Sequence, residues 1–221
     1  MTAAQNAGRQ FRFGAWIRTG LTKRFTPLLP LALAGCVSTT TNGFEPGVSD
    51  IAAQRMRFAA EAVCLNNSSQ SGQDRAARGL NFPVQERDGG SMIYANPGTL
   101  TFVRIGPVPD QFYNDATGAR QVVRGSGCSV GSPAVGIDRA NRLAGEILAP
   151  RLVDGSDTLA APRGAGRNID GGVGFFFDGL SITLPQARTT FLNPETGEGA
   201  VFDHPVILIV HGPSQTAELR E

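Results

Sequence analysis

Phe112-Tyr113-Asn114-Asp115-Ala116-Thr117-Gly118 returns 79 residues later as Phe191-Leu192-Asn193-Pro194-Glu195-Thr196-Gly197, and this echo decides the reading of the fold. In each copy the Asn favours a turn through its own backbone and the Gly accepts a positive φ, so each reads as the tip of a β-hairpin. Val122 and Val201 extend the match. Upstream, Asp88-Gly89-Gly90-Ser91-Met92-Ile93-Tyr94 resembles Asp170-Gly171-Gly172-Val173-Gly174-Phe175-Phe176 at an offset of 82. Downstream, Cys128-Ser129-Val130 falls opposite Leu208-Ile209-Val210 at an offset of 80, with Pro133 opposite Pro213. The alternative is coincidence in a chain with 28 glycines, where such turn pieces recur by composition alone.

Helical spacing precedes each set of strands. Ser49 or Asp50 can cap a helix from Ile51, whose apolar stripe is Ala52, Met56, Ala59 and Val63 with Phe58, Ala62 and Leu65; Asn66-Asn67-Ser68-Ser69 ends it. A shorter piece around Asp74 to Arg78 stops at Gly79, and β signals take over from Phe82. Ile137, Ala140, Leu143, Ala144 and Ile147 give the second half its own helix. Asp178-Gly179 is a two-residue hairpin signal, and Asn96-Pro97-Gly98 is its slightly longer counterpart. The pattern predicts an α+β fold: antiparallel sheet with helices packed on one face, arranged as two tandem α-β-β-β-β units over 50–133 and 134–221. Pro150 to Asp170, rich in Gly, Ala, Arg and Pro, reads as a loop.

Residues Leu33-Ala34-Gly35-Cys36 close a short apolar run that follows Lys23-Arg24, and five basic residues precede them with no carboxylate before Glu45. This segment resembles the leader and lipobox of bacterial lipoproteins. Its apolar core, Phe25 to Ala34, carries two prolines and falls short of the roughly 20 residues a membrane-spanning helix needs. The resemblance implies a signal peptide over 1–35, cleavage before Cys36, and a lipid anchor on that residue. It therefore places the chain in the cell envelope, attached to the membrane through Cys36 and facing the periplasm. Val37 stands where an inner-membrane retention rule expects Asp, which points to the outer membrane. Residues 36–49 are mostly Ser, Thr, Asn, Gly and Pro with a single aromatic, Phe44, a composition expected of a flexible tether.

Beyond residue 35 the 20 basic residues fall to 15 against 19 acidic ones, a mildly acidic balance that has little to offer phosphate. Nucleic-acid binding is set aside on that ground. Lys23 is the sole lysine of the chain, so a mature protein starting at Cys36 has no Schiff-base or phosphate-loop lysine. Cys64 and Cys128 remain as an even pair in an oxidising compartment and are expected to form a disulfide. If the halves are copies, the offset of 80 seats Leu208 in the place of Cys128.

Gly127-Cys128-Ser129-Val130-Gly131 fits the G-x-S-x-G pattern of a nucleophile elbow, and His211 follows it in the chain. The elbow needs a strand running into the Ser and a helix leaving at once, whereas helical periodicity resumes only near Ile137. With His204 and His211 as the only histidines and both cysteines paired, no metal-ligand spacing exists. Asp154-Gly155-Ser156-Asp157 resembles a Ca²⁺ loop faintly, lacking its closing Glu. No cofactor is implied. The expectation is a non-enzymatic, lipid-anchored module that binds another envelope protein through its sheet face or the 150–170 loop. A periplasmic serine hydrolase using Ser129 and a small-ligand binder working between sheet and helices are the alternatives.

Overall fold

The computed structural model describes residues 43–153, 162–167, 171–192 and 199–217. The leader, the lipobox with Cys36, the Asp154 to Asp157 cluster and the 193–197 hairpin tip lie outside the described residues. Helix α1 is Pro46–Ala59, continued by a π-helical turn Ala60–Leu65; α2 is Gln70–Gly79 and α3 is Ile137–Val153. Helix α1 begins earlier than Ile51 because Pro46 sits at its first turn, where a fixed φ is already helical and the missing N–H costs nothing. Ser69 caps α2, its hydroxyl accepting from the Gly72 N–H at 3.2 Å.

The described residues form twelve strands, six on either side of α3 in the chain: β1 Val84–Asp88, β2 Ser91–Asn96, β3 Thr101–Pro107, β4 Gln111–Asn114, β5 Arg120–Val123 and β6 Ser126–Gly131 in the first half; β7 Gly164–Arg167, β8 Val173–Phe177, β9 Leu180–Thr183, β10 Gln186–Leu192, β11 Gly199–His211 and β12 Ser214–Thr216 in the second. Each half thus has more strands than the four expected. The excess comes from short, polar or glycine-rich segments such as Gly164–Arg167, which carry no hydrophobic alternation and pair through backbone alone. For the same reason the 150–170 stretch is not simply a loop: α3 runs through Pro150 to Val153 and β7 lies beyond it.

One nine-stranded antiparallel sheet runs in the order β1-β2-β3-β6-β11-β9-β8-β7, with β10 attached to β11. Within this sheet the halves do not interleave and meet at β6 and β11, but β12 of the second half crosses over to pair with β5 of the first. A second sheet, β12-β5-β4, stands apart. Advancing both strands of the β3·β6 ladder by 79 residues reproduces the β9·β11 ladder: Val103↔Val130 becomes Ile182↔Ile209, and Arg104↔Ser129 becomes Thr183↔Leu208. The offset of the hairpin echo is the one this central register keeps. The offset of 80 is not, because Cys128 faces the helices while Leu208 faces away from them, and the position equivalent to Cys128 is Ile207. A one-residue slip exchanges the two faces of a strand.

All three helices cover one face. Ala52, Met56, Ala59 and Val63 pack with Ala140, Ala144 and Ile147 onto Val103, Ile105, Val130, Ile182, Ile207 and Ile209. Burying each such Val or Ile stabilises by about 1.5–3 kcal/mol relative to exposure. Phe58, placed by spacing in the apolar stripe, is 51% exposed, because it lies on the side of α1 away from that row. Cys64 and Cys128 form a disulfide with Cα atoms 5.3 Å apart, tying the π-helical turn to β6. The α+β reading, with an antiparallel sheet and helices on one side, is the architecture observed.

Candidate functional site

The other face of the large sheet carries no helix. Its central floor is set by strand parity: on β6 the residues pointing that way are Gly127, Ser129 and Gly131, and on β11 they are Val206, Leu208 and Val210. Two β-arms rise beside it. One is the β4-β5-β12 sheet, held by Val123, Val108 and Tyr113 against Phe176, Leu208 and Val210; Tyr113 stacks on Phe176 with ring centroids 4.2 Å apart. The other is the β10·β11 hairpin.

Between the arms lies a pocket of about 340 Å³. Its floor is Ile93, Phe102, Arg104, Ser129, Val206 and Leu208; its walls are Val108, Pro109 and Gln111 from one half and Pro185 to Thr189 from the other. Each wall is the link after the third strand of its half together with the start of the next strand, β4 in one and β10 in the other. The lining is apolar, and its polar groups are few. Arg188 at the rim is neutralised by a two-pronged pair with Asp203, at 2.7 and 3.1 Å. Gln111 is held from both ends, donating to the Pro109 carbonyl at 2.8 Å and accepting from the Thr183 hydroxyl at 3.1 Å.

Arg104 differs. Its half-buried guanidinium donates from Nη1 to the Pro107 carbonyl at 3.0 Å, and among the described residues no carboxylate lies within ion-pair distance of it. Burial pulls its pKa below the ordinary arginine value, with the field of Asp88 opposing. Ser129 is the cross-strand neighbour of Arg104, 8% exposed and aimed at the same pocket. A cation and a hydroxyl therefore stand side by side on an apolar floor.

Ser129 lies mid-strand, paired with Arg104 on one side and Leu208 on the other, with α3 starting only at Ile137. The structure does not bring it to a histidine. His211 falls on the helix side, its Nε2 hydrogen-bonded to the Cys64 carbonyl at 2.8 Å. His204 is 1% exposed behind the pocket, where Nε2 meets Thr189 Oγ1 at 2.8 Å and the ring edge meets Phe102 at 5.3 Å between centroids. Burial lowers the pKa of His204, partly offset by its hydrogen bond to the Pro205 carbonyl and by Asp203.

No protein-family model, curated protein or solved structure matches this chain.

Among the described residues no group of three or more His, Cys, Asp and Glu is placed to hold a metal ion, and no helix is long and apolar enough to cross a membrane. The space between sheet and helices, the expected site of a small ligand, is filled by the core; the pocket is on the opposite face. Sequence reasoning missed Arg104 and the proline-rich walls. The signal was present in Phe102-Val103-Arg104-Ile105, where alternation puts an arginine on one face with an aromatic, but nothing local says which face the helices will cover.

Proposed function

We propose that this chain is a lipid-anchored cell-envelope protein that works by binding, and that its binding site is the pocket on the helix-free face of the sheet. One observation carries the reading: an apolar pocket, walled by corresponding segments of both halves, with a half-buried cation on its floor. Its volume is at the low end of the ~300–1,000 Å³ typical of small-molecule sites, and such sites combine an apolar lining with a few convergent polar groups. This favours a small guest over a broad protein interface. The lipobox-like Leu33-Ala34-Gly35-Cys36 supports placement at the membrane, where apolar guests are abundant.

Two measurements test the reading. Mass spectrometry should find a mature N-terminus at an acylated Cys36, and Cys36→Ala should release the protein from the membrane fraction; an unmodified chain starting elsewhere would refute the anchor. Separately, a solvent extract of protein isolated from envelopes should contain a compound that is missing from Leu208→Trp, in which the floor of the pocket is filled. Identical extracts from the two would refute the site.

A further inference from the structure

We infer, on the strength of that binding reading, that the guest is a single-chain anionic amphiphile: one alkyl or acyl chain ending in a carboxylate or phosphate, with the anionic group at Arg104 and Ser129 and the chain between the two arms. Charge argues for the head. Arg104 is the cation on the pocket floor that makes no ion pair among the described residues, Asp88 acting on it only through its field, whereas Arg188 at the rim is already paired with Asp203. Arg104 and Ser129 are cross-strand neighbours that both line the pocket, and charge-assisted bonds from a guanidinium to an oxyanion are about twice as strong as neutral ones.

Shape argues for the tail. Ile93, Phe102, Val108, Pro109, Val206 and Leu208 offer only van der Waals contact. About 340 Å³ sits near the lower limit of small-molecule sites, which suits one chain better than two. Backbone pairing argues against an extended peptide. Strands β3, β6 and β11 under the pocket are each hydrogen-bonded on both sides, so the floor exposes no strand edge for a peptide to extend. Recognition there must come from side chains and apolar contact.

The test uses the full chain in envelope vesicles, labelled with a photoactivatable alkyl carboxylate and challenged with dodecanoate, dodecyl phosphate or dodecanol. Label is expected on peptides spanning 108–111 and 185–189. Either anion should compete at a roughly tenfold lower concentration than the alcohol, the difference expected of one hydrogen-bonded charge. The stronger of the two anions identifies the head. Arg104→Met should keep the label and abolish that tenfold preference. Leu208→Trp should lose the label, and Ala187→Trp, on a wall and away from the core, gives the same readout if Leu208→Trp fails to fold. Equal competition by alcohol and anions would overturn the anionic guest while leaving the pocket as a binding site. Label that persists in Ala187→Trp, or that falls on a co-isolated polypeptide, would overturn both readings.

Discussion

Strands β6 and β11 occupy equivalent places at the centre of one sheet, yet they present opposite surfaces to its helix-free side. Where β11 shows Val206, Leu208 and Val210, the positions 79 residues earlier on β6 are Gly127, Ser129 and Gly131. The narrow strip receives what the broad one and its neighbours supply. A Cβ at Gly131 would lie 2.5 Å from Phe102 Cζ and 2.6 Å from Val206 Cγ1, so those two side chains occupy the space a second residue would need. Two equally bulky strands would leave no floor. The inequality between the halves, rather than their likeness, makes the pocket, and it also leaves Arg104 where the second half has Thr183.

The arms differ as well. In the first half the chain breaks between β5 and β6, with Gly125 at φ 131, a conformation that side chains rarely tolerate, and the β4·β5 hairpin leaves the main sheet. In the second half β11 runs unbroken past His204 and Pro205, and its hairpin stays attached. The residue equivalent to Gly125 is His204, fixed by Thr189 and Phe102. The two arms diverge at this position.

The largest expected effect separates the two halves by their cross-links. Reducing the Cys64–Cys128 bond should lower the unfolding free energy by about 4 kcal/mol on the chain-entropy estimate for a closed loop of this length, whereas Ile207→Val at the equivalent place should cost only about 1 kcal/mol. Denaturant titrations of oxidised protein, reduced protein and the variant compare them; equal losses would mean that the bridge adds nothing beyond packing.

Next comes the strip itself. Gly131→Val would make β6 resemble β11 and force Phe102 and Val206 aside, at a cost of about 1–3 kcal/mol typical of overpacked interiors. Unchanged stability in thermal or chemical unfolding would show that the floor yields and that the inequality is not enforced by packing.

The smallest effect is in pH. Burial holds the His204 pKa below its ordinary value of 6.5, so below that pH the unfolded chain takes up a proton that the folded chain refuses. Stability should therefore fall as pH drops below about 6.5, at up to about 1.4 kcal/mol per pH unit until the folded pKa is reached. His204→Gln should flatten that segment of the pH profile. A variant with the wild-type slope would assign the dependence to other groups.

Much of the architecture was legible because it rests on local chemistry. Ile137 and its periodic partners gave α3, Asp178-Gly179 gave the β8–β9 turn, and the Asn-x-x-Thr-Gly piece placed the β4–β5 hairpin at 114–118. The pairing of Cys64 with Cys128 followed from there being no other partner after Cys36. The echoes at offsets 82 and 80 were less reliable than the one at 79. Ile93↔Arg104 corresponds to Gly174↔Thr183, a shift of 81 for β2 to β8, so the Asp-Gly-Gly echo is also one residue out of register. Glycine turns recur wherever a chain must reverse, and their coincidence in sequence need not match the ladder.

Turn chemistry, helical periodicity and the cysteine pair were determined by the sequence alone, since each depends on residues within a few positions of one another or on simple counting. Only the tertiary structure decided which face of each strand the helices would cover, because register accumulates over every turn between two strands and a slip of one residue reverses the outcome. It alone brought Arg104 and Ser129 together with Pro185 and Leu208. Those residues are far apart in the chain and become neighbours only when both halves have met at β6 and β11.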